Sequence, residues 1–295
     1  MAYARGRWVA MAAAVVLGAG AVSGCAEEGG EAGGADSAAK ESAATEGSLA
    51  TEAAEVPESA EEFLAAARKA MAAEPGWTFH VNGTESLGLS GASPNGATYT
   101  ADGSWTGEPH VLRADGAITG SKGKNVKVRS YVVDGVGHFR KGTEAWEKGP
   151  VSEPKNAAKV EDPMAEVASF EEYAEGGGVE LVRAGSEVRL QVTLDNRTLA
   201  ERAQSPALDK AGLEFDPTLA QLKEQGVTAK PGQIVLKDLQ EQLVLDAETY
   251  QVKSHRLSFG FVLPYQGQQL TYRQEVRQQV AGPFEGTIEL PAGVR

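Results

Sequence analysis

One cysteine in 295 residues excludes a disulfide framework and any metal site built from several thiolates. The four histidines, His80, His110, His138 and His255, are spread over 175 positions and leave little for a metal cluster. Basic residues are scarce: 28 Lys+Arg stand against 41 Asp+Glu, a formal net charge of −13. That balance argues against nucleic acid and against an anionic membrane surface as electrostatic partners. Aromatic residues are only 6% of the chain. What is present is 41% hydrophobic residues, enough for a sizeable core.

The N-terminus reads MAYARGRWVAMAAAVVLGAGAVSGC. Arg5 and Arg7 make a positive start, and Trp8 to about Ala21 is uncharged. The run is shorter than the roughly 20 apolar residues of a membrane-spanning helix and has the size of an export-signal core. It ends on Val22-Ser23-Gly24-Cys25. This resembles the bacterial lipobox, in which an aliphatic residue and two small ones precede a cysteine. The resemblance implies diacylglyceryl transfer to the Cys25 thiol, cleavage after residue 24, and a chain held by lipid at the outer face of the bacterial cytoplasmic membrane. No second apolar span follows. Two acyl chains, each contributing about 0.8 kcal/mol per buried CH₂, anchor durably where one does not.

Residues 26–57 contain eight acids, one lysine and no aromatic. Such a stretch cannot bury enough apolar area to offset its ordering entropy. The expectation for 25–57 is a lipidated cysteine followed by a disordered acidic tether with a root-mean-square reach of roughly 30 Å.

The globular part is expected over 58–295. Ser59 and Glu62 form a capping-box pattern, and Phe63, Leu64, Ala67, Ala70 and Met71 share one helix face. Period-2 alternation then places Trp77, Phe79 and Val81 on one strand face. Gly-rich breaks are expected at 88–96 and 102–107, with strands through ATYTADGSW, PHVLRADGAIT and VKVRSYVV. Asp134-Gly135 is a hairpin signal, and a short strand carrying Trp146 follows. Asp162-Pro163 opens a second helix that stops at the glycines 176–178. Two strands come next, then a helical insertion at about 196–226, in which Asp216-Pro217 repeats the Asp-Pro start. Strands are expected again over 232–245, 248–263 and 269–280, with Leu257, Phe259, Phe261 and Leu263 on one face. The fold class is therefore α+β, with a curved, mostly antiparallel sheet and helices packed against its concave face.

This order of elements resembles the LolA-like superfamily of envelope proteins, including the LppX/LprG-type actinobacterial lipoproteins. The stretches that carry the likeness are FLAAARKAM followed by WTFHVNGTESL, then YVVDGVGHFRKGTEAWEK, then LVLDAETYQVKSHRLSFGF with IELPAG. The resemblance implies a half-barrel whose cavity holds a lipid, glycolipid or acyl chain. Trp77, Phe79, Val81, Leu257, Phe259 and Phe261 are then the candidate lining residues, the plainer reading being packed core. The alternative function is a regulatory lipoprotein that binds a protein such as a membrane anti-sigma factor.

Catalytic signals are weak. Ser37-x-x-Lys40 and Ser121-x-x-Lys124 lack the further motifs of penicillin-recognising enzymes. Glu171, Glu172 and Glu175 read as the wet face of a helix, and the histidines as ordinary strand histidines. The basic stretch 121–129 reads as a solvated hairpin edge that could face an anionic headgroup or polymer. The expectation is a chain that is not an enzyme, with no catalytic residue, no metal and no cofactor.

Overall fold

The computed structural model describes residues 56–157, 159–292 and 294. The signal segment 1–24, Cys25 and nearly all of the expected tether lie outside the described residues. From Pro57 onward the described chain belongs to one compact unit.

Helix α1 (Ala60–Ala72) starts where the sequence says it should. Ser59 Oγ accepts from the Glu62 amide at 3.2 Å, and the Glu62 carboxylate accepts from the Ser59 amide at 3.2 Å. Each bond satisfies an orphan donor of the first turn. Strands β1 (Gly76–Leu89), β2 (Asn95–Thr106), β3 (Val111–Gly120), β4 (Asn125–Val133), β5 (Val136–Lys141) and β6 (Glu147–Pro150) follow as a meander. Asp134 and Gly135 form the tight β4–β5 turn with φ of 52° and 73°. The expected break at 102–107 is instead the end of β2, because Gly103 is needed inside the strand. Trp146 precedes β6 and does not belong to it.

A one-turn helix, α2 (Pro154–Ala157), leads to α3 (Pro163–Glu175), which is capped by the Asp162 carboxylate on the Met164 amide at 2.9 Å. Strands β7 (Glu180–Ala184) and β8 (Glu187–Leu194) follow. The insertion holds a 3-10 turn at Leu199–Gln204 and helix α4 (Pro206–Glu224). This helix begins eleven residues before the expected Asp216-Pro217 start. Ser205-Pro206 supplies the cap and first residue, and Pro217 lies inside the helix, partly exposed. The missing amide of Pro217 costs one bond to the Leu213 carbonyl, a loss that helix packing offsets. α4 ends at Gly226, whose φ of 88° lets the amides of Gly226 and Val227 return to the Lys223 and Leu222 carbonyls. Strands β9 (Val235–Asp246), β10 (Val252–Tyr265) and β11 (Gln268–Pro283) complete the sheet.

All eleven strands form one antiparallel sheet in the order β6-β5-β4-β3-β2-β1-β11-β10-β9-β8-β7. The terminal strands β6 and β7 are not paired with each other, so the sheet is curved and unclosed. Inner-face residues from Phe139 on β5 to Leu190 on β8 belong to one apolar core with α1, α3 and α4. The bend is tight at β2 and β3. A Cβ on Gly103 would stand 2.1 Å from the Phe79 ring, and one on Gly116 would stand 2.8 Å from the Ala101 Cβ. Both glycines lie on the concave side, where curvature brings neighbouring side chains together.

Candidate functional site

The inner face has an apolar part and a polar part, and α4 lies over both. The six predicted lining residues all point inward and are at most 3% exposed. They separate into two groups. Trp77 donates its indole N–H to the Met71 carbonyl at 2.8 Å, Phe79 covers Gly103, and Val81 stands opposite Gln278. Phe261 is stacked on Phe215 of α4 with centroids 4.8 Å apart, while Phe259 meets both Phe261 and Tyr272. Leu257 lies between Glu241 and Val276 in the register. Two depressions of about 360 and 310 Å³ open on the outer face. Of the six residues, only Phe259 borders either one.

The polar part is a set of residues that sequence reasoning did not single out. Lys210, Glu214 and Thr218 follow one another at four-residue steps along the buried face of α4. Each meets an inward polar group. Lys210 Nζ donates to Glu166 of α3 at 2.6 Å and also to Glu241 of β9. Glu214 accepts from the Gln274 amide at 2.9 Å, and Gln274 accepts from the Tyr272 hydroxyl at 2.5 Å. Thr218 donates to Glu85 of β1 at 3.0 Å. Around Glu241 the network extends to the Tyr173 hydroxyl at 3.0 Å and His255 Nε2 at 2.8 Å.

The electrostatics of the two ends differ. Burial works to raise the Glu241 carboxyl, but Lys210 and His255 outweigh it and hold the group below its ordinary value. Burial likewise works against a charged Lys210, and Glu166 and Glu241 together raise it above its ordinary value. This end is an ion-paired cluster. At the other end burial dominates: Glu85 is pushed up to about 8, with the Glu214 charge adding to the effect. Glu85 is therefore a neutral acid at neutral pH, and Tyr272 beside it is raised as well, by burial and by the two acids.

Glu166, Glu241 and His255 place three ligand-type atoms within 4.8 Å of one another. The Lys210 ammonium bonds both of these carboxylates and supplies the cation that they need. The donor set is thus that of an internal ion pair and does not match an open metal centre. The remaining histidines are elsewhere: His80 pairs with Asp102 at 2.7 Å, His110 accepts from the Trp105 indole at 2.9 Å, and His138 is buried on β5.

A sequence signal for this network existed. Glu85 continues the inward phase of Trp77, Phe79 and Val81, and His255 begins the phase of Leu257, Phe259 and Phe261. Gln274 and Gln278 keep step with Tyr272 and Val276. Glu241 keeps step with Leu239, Leu243 and Leu245, but against Leu236. An extra residue on β9 at Asp238, with φ of 53°, shifts the inward phase from Leu236 to Leu239 and carries Glu241 inside.

No family model and no curated protein matches the chain. Solved structures to which it is similar include a protein of the DUF1329 family from Desulfovibrio piger, 6% identical with a TM-score of 0.29, covering 79% of this chain and 96% of that one. A LolA superfamily protein from Nitrosomonas europaea is 8% identical with a TM-score of 0.23, covering 80% and 96%. A β-barrel-like protein of the DUF1849 domain from Brucella abortus is 6% identical with a TM-score of 0.24, covering 69% and 98%. The α+β half-barrel described above rests on this chain's own strand order and register.

Proposed function

We propose that this chain is a lipid-anchored extracytoplasmic protein of the LolA-like, LppX/LprG-related kind that binds or carries an apolar or amphiphilic ligand, without enzymatic activity. The observation that carries this reading is the inner face of the sheet. The strands from β5 round to β8 turn a largely apolar surface toward three helices, which is how a sheet encloses an acyl chain, and α4 meets that surface through a buried polar line as well as through apolar contacts. Acyl binding needs burial of apolar area, roughly 25 cal/mol per Å², and little directed chemistry. The anchor follows from the lipobox-like Val22–Cys25, and a signal over 1–24 would deliver the chain to the outer face of the bacterial cytoplasmic membrane.

The test is lipid extraction and native mass spectrometry of the full chain purified from membranes. A co-purifying acyl species beyond the anchor supports the reading. A homogeneous ligand-free protein that takes up no acyl probe overturns it, and a stoichiometric membrane-protein partner without lipid would put the regulatory alternative in its place.

A further inference from the structure

The polar line under the helices is hydrogen-bonded along most of its length; besides Glu85 Oε2 at one end, its atoms without a partner stand together. His255 and Gln278 are cross-strand neighbours on the inner face of β10 and β11. Directly paired residues of this kind have Cβ atoms about 5 Å apart. Each residue is 2% exposed. His255 Nδ1, Gln278 Nε2 and Gln278 Oε1 meet no hydrogen-bonding partner among the described residues. Burying such atoms unpaired is unfavourable, so three of them side by side mark a place suited to a polar partner.

The chemistry of that partner can be read from the neighbours. His255 Nε2 faces the Glu241 carboxylate, which only accepts, so the ring proton belongs on Nε2. Nδ1 is then the open edge of the ring. Gln278 offers a donor and an acceptor beside it. A hydroxyl, at once donor and acceptor, completes this set whether Nδ1 accepts or donates. A carboxylate or phosphate anion would enter beside Glu166 and Glu241, and the one nearby ammonium, Lys210, is already bonded to both of those acids. The Phe170 ring lies edge-on to His255 at 6.4 Å and Val81 stands opposite Gln278, so the surroundings of the polar pair are apolar.

We infer that His255 and Gln278 form a buried recognition point for a hydroxyl group, and that the guest is an acyl amphiphile with a neutral, hydroxyl-bearing head and not a fatty-acid or phosphate anion. This rests on the acyl-binding function proposed above and narrows it to a ligand class.

Photo-crosslinking of the full chain in lipid nanodiscs tests it. A diazirine-bearing chain of oleoyl length is presented either as its 1-monoacylglycerol or as the free acid, and labelled peptides of the inner face are quantified. The monoacylglycerol should label these peptides about tenfold more than the acid, the equivalent of one buried hydrogen bond. Gln278→Leu should bring the monoacylglycerol down to the level of the acid and leave the acid unchanged. Gln278→Met should behave in the same way, and both variants should unfold at a urea concentration no lower than the parent, because they remove unpartnered atoms. Equal labelling by both lipids, or a preference that survives both substitutions, overturns the inference and leaves acyl binding standing. No inner-face labelling by either lipid overturns both.

Discussion

Glu85 and Glu241 are two buried carboxyls beneath α4, and their contributions to stability respond to pH in opposite directions. The folded-state value of Glu85 is raised to about 8 from an ordinary 4.5. The unfolded chain therefore releases this proton first, and stability declines as the pH rises from about 4.5 to about 8. Glu85→Gln cannot ionise and still accepts from Thr218. It should leave stability unchanged at pH 4 and add about 1–3 kcal/mol at pH 8, read from urea unfolding at both pH values. Glu241 is lowered, so its contribution is present above its ordinary value and is lost as the pH falls through the folded one. Lys210 is raised, so its contribution holds up to its ordinary value and is lost as the pH rises through the folded one. Removing this ammonium leaves two carboxylates without a counter-charge. Lys210→Met should cost about 3–5 kcal/mol at pH 7, and adding Glu241→Gln should recover part of it. A loss under 1 kcal/mol on chemical denaturation would show that the cluster is not held as described.

At the scale of elements, strand phase decides what the inner face carries. Phe79 of β1 can lie flat only because Gly103 of β2 has no side chain. Gly103→Ala should destabilise by about 1–3 kcal/mol through overpacking, and Phe79→Leu in the same chain should relieve a measurable part of that cost. A purely additive double mutant in thermal unfolding would contradict the packing. In α4 the partly exposed Pro217 interrupts the hydrogen-bond ladder. Pro217→Ala restores an amide for the Leu213 carbonyl and should stabilise by about 1–2 kcal/mol, less than the full helix-interior cost of proline because the unfolded chain regains freedom. The capping box of α1, the Asp162-Pro163 start of α3, the Asp-Gly turn and the amphipathic faces of α1 and α3 were legible in the sequence, because each depends on residues within four positions of one another. The start of α4 was not. Ser205-Pro206 and Asp216-Pro217 are both plausible starts locally, and the choice falls to the buried contacts of Leu208 and Ala211, which only the assembled sheet supplies.

For the whole molecule, the sheet is held open by its order. The N-terminal meander and the C-terminal strands join through β1 and β11, and the short edge strands β6 and β7 end it on either side. Arg68 and Glu171 tie α1 to α3 by a paired Nε–Oε1 contact of 2.9 Å, so the helices above the sheet are also linked to each other. No helix among the described residues is long and apolar enough to cross a membrane. In the function proposed above the chain is held through Cys25, so Cys25→Ala should abolish incorporation of labelled palmitate and move the chain from the membrane pellet to the soluble fraction. Retention of Cys25→Ala in the pellet would argue for another mode of attachment.

The sequence by itself determined where helices and strands begin when a cap or turn lies close by, the inward phase of uninterrupted strands, and the apolar character of one sheet face. The reason is that these properties are set by neighbours along the chain. Only the tertiary structure decided that Glu241 turns inward past the Asp238 bulge, that Lys210 and Glu166 meet it from two helices, and that His255 and Gln278 stand side by side. Those pairings join residues from 23 to 75 positions apart, where local propensity carries no information and the free energy of burying charge and polar groups selects the arrangement.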